Sequence, residues 1–162
     1  MSTQFHKILP LLVNEGIEFV LIGGVAGNIH GSARLTFDVD VVYNRDRANL
    51  DRFVKVLQRI KPYLRGAPPG LPFVLDLPTL RNGLNFTLTT DLGDLDLLGE
   101  VVGGGGYKDL LPHTFEVEAF NVKFKCVDLP TLIKLKRAAG RPKDLESLAE
   151  LQALLDEQQK GE

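Results

Sequence analysis

The 162-residue chain reads as a mixed α/β fold of the α+β kind, with a mixed central sheet, flanking helices and two helices at the C-terminal end. Three observations predict it. Helix-spaced and strand-like segments alternate over the first 60 residues. Two pairs of short β-type runs follow, at 85–98 and 114–127. Leucines at helical spacing then dominate from Asp128 onward. The expected organisation is one unit over residues 1–162, with a core at 1–127 and a helical segment at 128–162.

The elements follow from local pattern. Phe5, Ile8, Leu9 and Leu12 share a helical face, which predicts a helix over 3–15 ended by Asn14-Glu15-Gly16. Phe19-Val20-Leu21-Ile22 is continuously apolar and reads as a buried strand running into Gly23-Gly24. A short helix is expected from Val25 to Ser32, then a second strand at Phe37–Val42. Leu50, Phe53, Val54, Leu57 and Ile60 make an amphipathic helix. Residues 61–72, with four prolines and two glycines, read as a loop. The runs 85–89 and 93–98 read as paired strands joined at 90–92, and Gly103–Gly106 as a flexible connection. Thr114–Phe120 and Val122–Val127 suggest a second hairpin. Asp128 is placed to cap a helix that stops near Gly140, and Pro142 opens a last helix with Leu145, Leu148, Leu151 and Leu155 as its buried stripe.

Composition narrows the function classes. A net charge of −2 offers no global field for nucleic acid, so any such contact must be local. One cysteine, Cys126, excludes an internal disulfide framework; it lies on a strand and reads as a packed residue. No secretory leader pattern and no apolar run of about 20 residues is present, which suggests a cytoplasmic protein.

The chemistry concentrates in carboxylates on strands. Asp38 and Asp40 are two residues apart on an apolar strand, so both point to one face. Two neighbouring anions there are costly unless a cation lies between them, and oxygen donors suit Mg²⁺, with Mn²⁺ as an alternative. Asp96, bracketed by leucines, supplies a third carboxylate; Asp94, after Gly93, reads as a turn residue. The Gly23-Gly24 turn would let a phosphate approach the backbone. Ser32 and Arg34 lie between the glycines and the aspartates. A basic segment follows later: Lys134, Lys136, Arg137, Arg141 and Lys143. Lys136 continues the apolar stripe of Leu129, Leu132 and Ile133, an uncommon place for lysine. Lys136, Arg141 and Lys143 are therefore assigned to phosphate or carboxylate contact, and Lys134 and Arg137 to the solvated helix end. His30 has no second histidine nearby and is a poor metal candidate.

Taken together, Gly23-Gly24, the Asp38-x-Asp40 strand, Asp96 and the segment Lys136 to Asp144 resemble the polymerase-β-type nucleotidyltransferase superfamily. The closer resemblance is to AbiEii-type toxin and related minimal nucleotidyltransferases. It implies the nucleotidyltransferase fold. It implies catalytic and metal-binding roles for Asp38, Asp40 and Asp96, with Asp96 helping to deprotonate the attacking hydroxyl. Gly23, Gly24, Ser32, Arg34, Lys136, Arg141 and Lys143 would bind the nucleoside triphosphate, ATP among the candidates. The acceptor would be an RNA 3′ end, a protein side chain or a small molecule; the partner would be a cognate antitoxin or a HEPN-type protein. A departure stands at Ser147, where the toxin group often carries an acid; Glu146 is beside it. The rival reading is a non-catalytic module of the same fold that binds a nucleotide or a partner.

Overall fold

A computed structural model describes residues 2–161. In chain order the helices and strands are α1 (Phe5–Asn14), β1 (Phe19–Ile22), α2 (Gly23–Ile29), β2 (Asp38–Tyr43), α3 (Arg47–Arg59), β3 (Tyr63–Leu64), α4 (Leu77–Asn82), β4 (Asn85–Thr90), β5 (Gly93–Leu98), α5 (Tyr107–Leu110), β6 (Thr114–Ala119), β7 (Val122–Val127), α6 (Leu129–Ala139) and α7 (Pro142–Lys160). The α/β architecture with a mixed sheet is the one expected. Seven strands among the described residues form one sheet in the order β3-β4-β5-β2-β1-β7-β6. β2 runs antiparallel to β1 and parallel to β5, and β1 runs parallel to β7.

Side-chain alternation divides β2 cleanly. Val39, Val41 and Tyr43 point to the apolar face, where Tyr43 meets Phe53 of α3 edge-on. Their neighbours Leu95 and Leu97 on β5 and Leu88 on β4 are fully buried on that same face. The opposite face of β2 and β5 carries Asp38, Asp40, Asp94 and Asp96. The sheet's own hydrophobic alternation thus fixes all four carboxylates on one side, since a one-residue slip would send them into the core.

The C-terminal helices are set by their caps. The Asp128 carboxylate accepts from the Thr131 amide at 2.9 Å, as its position suggests. Gly140, at φ +67, takes the left-handed conformation that ends α6.

Several expectations need correction. The glycine pair does not precede α2 but begins it, and α2 stops at Ile29, before Ser32. The loop at 61–72 contains β3, which extends the sheet beside β4. Helices α4 and α5 lie in stretches for which the sequence pattern predicts no element. The hairpin turn takes Phe120 from the strand: Phe120 and Asn121 both have positive φ, as a two-residue turn between twisted strands requires. Gly103–Gly106 is a close-packed turn, bridged to Val101 by hydrogen bonds of 2.8–3.0 Å. A Cβ on Gly103 would lie 2.6 Å from that of Ala138, so small size there lets α6 approach. The buried stripe of α7 is rotated from the expected one. Leu145 is 52% exposed, while Asp144, Ser147 and Leu151 face inward. Phe37, counted among the apolar flanks of the aspartates, is 73% exposed and precedes β2. Among the described residues no helix is long and apolar enough to cross a membrane.

Candidate active site

Strand register builds the carboxylate cluster. Asp38 lies opposite Asp94 and Asp40 opposite Asp96 in the parallel β2–β5 pair. One oxygen each from Asp38, Asp40 and Asp96 lie within 4.8 Å of one another. That spacing lets a single hard cation touch all three, and carboxylate oxygens are the donors Mg²⁺ takes. Asp94 is a strand residue, not the expected turn residue; Gly93, at φ +115, makes the turn.

The electrostatics show a surplus of negative charge. Burial pushes the Asp40 carboxyl well above the ordinary carboxylate range, and the charges of Asp38 and Asp96 push it further. Asp38 is raised by burial and by Asp96, against the lowering effect of Arg65 and Lys143. Desolvation and like charge both disfavour the ionised pair, so a divalent cation would gain from occupying this position.

The glycine pair is explained by the aspartate before any ligand is invoked. Gly23 sits at φ +74, and a Cβ there would lie 2.0 Å from Asp40 Oδ2. A Cβ on Gly24 would lie 2.7 Å from Thr36 Oγ1. Both glycines therefore let the start of α2 close onto β2 and the segment before it.

A cleft lies over the carboxylates in two lobes. One, of about 280 Å³, is lined by Gly23, Gly24, Ser32, Arg34, Asp38, Asp40, Lys136, Arg141 and Lys143. The other, of about 250 Å³, shares Gly23, Asp38, Asp40, Lys136, Arg141 and Lys143 and adds Asp96, Asn85 and the apolar Leu98, Val101 and Leu135. The structure thus brings every residue singled out for metal or phosphate to one cleft. Their immediate partners differ. Ser32 donates its hydroxyl to Glu150, and Arg34 lies 3.5 Å from Glu146, so both are tied to α7. Arg141 forks onto Asp144 at 2.6 and 3.2 Å. Lys136, with a side chain only 17% exposed, has its ammonium 3.9 Å from Asp144, whose side chain is 3% exposed. Burial lowers the Lys136 pKa, while Asp144 and then Asp40 pull it back up. Ser147, at the position of the departure noted above, is buried and donates to the Asp144 carbonyl at 2.8 Å.

Arg65 is the residue sequence reading missed. It follows β3 in the loop and reaches across β4 to the cluster. Its guanidinium lies 2.7 Å from Asp96, 3.3 Å from Asp94 and 3.7 Å from Asp38. Nothing in Leu64-Arg65-Gly66 announces this; only the need of four strand aspartates for a countercharge could have prompted a search for it. Glu150 was also missed, since an acid on an amphipathic helix reads as solvated. His30 contacts the Val127 carbonyl at 2.8 Å and packs on Phe115, which accounts for it without a ligand. Cys126 is fully buried, its thiol pushed up to about 12 by burial and by Asp128, which removes it as a nucleophile.

The fold is that of a nucleotidyltransferase-like protein. A solved structure from Thermotoga maritima, provisionally assigned as a nucleotidyltransferase, superposes with a TM-score of 0.53 at 16% identity, over 93% of this chain and 89% of that one. No protein-family model and no curated protein matches the chain by sequence.

Proposed function

We propose that the chain is a Mg²⁺-dependent nucleotidyltransferase that moves a nucleoside monophosphate from a nucleoside triphosphate to an acceptor hydroxyl. The observation that carries this reading is the convergence of three strand carboxylates beside a cleft that also presents Lys136, Arg141 and Lys143. Acid and base on one wall suit a substrate that is a metal–phosphate complex; neither set alone would. Asp38, Asp40 and Asp96 would hold the metal, with Mn²⁺ as a substitute. The bound ion would supply charge neutralisation at the phosphates and lower the barrier to ionising the attacking hydroxyl. Lys143 and Lys136 would counter the remaining phosphate charge, with Arg141 at the cleft edge. Asp96 lines the second lobe and would accept a proton from an acceptor bound there. Gly23 and Gly24, which line the first lobe, would offer backbone to the phosphates, and Ser32 and Arg34 would join them only by releasing Glu150 and Glu146.

The acceptor would be an RNA 3′ end, a protein side chain or a small molecule, and ATP is among the donors. A place in a toxin–antitoxin pair of the AbiEii kind, with an antitoxin or HEPN-type partner, follows from the sequence resemblance alone. One observation favours the non-catalytic module instead: a guanidinium already lies against the carboxylates. The two readings separate in a transfer assay. Incubation with each α-labelled triphosphate, Mg²⁺ and fractionated lysate should yield one labelled acceptor class, lost on adding EDTA. Metal-dependent nucleotide binding with no labelled product from any fraction would support the module.

A further inference from the structure

We propose that Arg65 is the resident counter-cation of the carboxylate cluster, and that a divalent metal ion binds by displacing it. The inference rests on the metal-binding reading above. Three of the four face-sharing aspartates lie within 4 Å of this one guanidinium: Asp96 Oδ1 at 2.7 Å from NH2, Asp94 at 3.3 Å from Nε and Asp38 Oδ2 at 3.7 Å from NH1. Asp38 and Asp96 are also two of the three residues whose oxygens converge on a point. A divalent cation bound there would stand next to a fixed positive charge, and like charges at that range repel strongly in a partly desolvated site. Both cations cannot be well accommodated at once.

The way Arg65 is held points to displacement and not to permanent support of the ligands. NH2 is well placed, donating to Asp96 and to the Leu88 carbonyl at 2.6 Å. Nε is buried yet makes no hydrogen bond, because its approach to Asp94 is badly angled. NH1 stands beyond hydrogen-bond distance from Asp38. Groups that orient metal ligands act through well-formed hydrogen bonds to them; here one of the three contacts leaves a buried donor without a bond, which costs free energy. The chain beyond it leaves room for the side chain. Arg65 follows a two-residue strand and leads into a loop where Gly66 (φ +82) and Gly70 (φ +87) have open space around them. The side chain can swing out without disturbing the core.

Metal-free protein would therefore keep its acidic strands neutralised through Arg65, and metal affinity would be set by competition with it. The test is Mn²⁺ binding, followed by electron paramagnetic resonance, to metal-stripped wild type, Arg65→Met and Arg65→Lys. Arg65→Met should bind Mn²⁺ about tenfold more tightly than wild type, and Arg65→Lys, which keeps the charge without the fork, should lie between. Arg65→Met should also melt lower than wild type in EDTA and recover with saturating Mn²⁺. In wild type, saturating Mg²⁺ should speed hydrogen exchange of the Arg65 side-chain Nε–H, which is buried while the guanidinium lies on the carboxylates; this readout needs no variant to fold. Equal or weaker Mn²⁺ binding by Arg65→Met, with wild type binding normally, would overturn the proposal and make Arg65 a ligand-orienting group. Unchanged exchange at Arg65 on saturation would also overturn it. If neither protein binds Mn²⁺, the metal site itself is wrong and the competition goes with it.

Discussion

Replacing Asp40 by asparagine is expected to abolish divalent-cation binding and, in EDTA at neutral pH, to raise the melting temperature. Asp40 is central to the cluster: it lies opposite Asp96 and Ile22, and against Gly23. Its carboxyl is raised well above the ordinary value of 3.8 by burial and by its two acidic neighbours. A raised acid destabilises the fold wherever it is ionised, because the unfolded chain ionises it freely. That penalty is absent below 3.8, grows as pH rises from there toward the folded value, and is complete above it. The gap in melting temperature between Asp40→Asn and wild type should follow the same course, near zero in acid and widening toward neutrality. A relief of about 1–2 kcal/mol corresponds to roughly 2–8 °C in a chain of this size. Saturating Mg²⁺ should reverse the order, stabilising only the protein that binds it. Thermal melts across pH, with and without metal, check this. A variant that melts lower than wild type in EDTA would mean that Asp40 is a structural acid.

The largest loss of stability is expected from Asp144→Asn. Asp144 is buried, takes a fork from Arg141 and faces the Lys136 ammonium. Burial alone would raise its pKa, but Arg141, with Lys136, outweighs that and holds it below the ordinary value. Its contribution is thus present above 3.8 and lost as pH falls through the depressed value, the opposite sign to Asp40. Arg141 is largely exposed and water screens its share. The cost lies mostly with Lys136, its side chain largely buried and left without its anion: about 2–4 kcal/mol, or roughly 5–15 °C. Lys136→Met should cost less, since Asp144 keeps Arg141, and the double variant should recover part of the loss. Lys136→Met should also weaken triphosphate binding about tenfold or more, if the ammonium meets phosphate. Calorimetric titration and melts of the three variants separate the roles. Unchanged affinity and stability in Lys136→Met would show a solvated lysine.

How much of this was legible depended on how local the signal was. Period-two alternation placed Asp38, Asp40 and Asp96 on strands, and register then did the rest. The same pentapeptide, Asp-Leu-Pro-Thr-Leu, starts α4 at Asp76 and α6 at Asp128, each aspartate accepting from the threonine amide at 2.9 Å. The second was read as a cap because a long apolar stripe follows it. The first was passed over because its helix is six residues long and ends before any periodicity shows. The α7 stripe was misassigned because its leucines were counted without weighing Asp144, whose partners on Arg141 and α6 draw a polar residue inward. Arg65 was invisible for a different reason: its role depends on β3 pairing with β4, a tertiary fact that two residues of strand cannot signal.

This cleft is expected to bind a triphosphate only as its metal complex. Three carboxylates would otherwise repel the ligand. Isothermal titration of metal-stripped protein with ATP, GTP, CTP and UTP, in Mg²⁺ and in EDTA, tests it most directly. Saturable binding of at least one triphosphate is expected in Mg²⁺, with affinity lost in EDTA and in Asp40→Asn. Equal affinity in EDTA, or binding that survives Asp40→Asn unchanged, would contradict it.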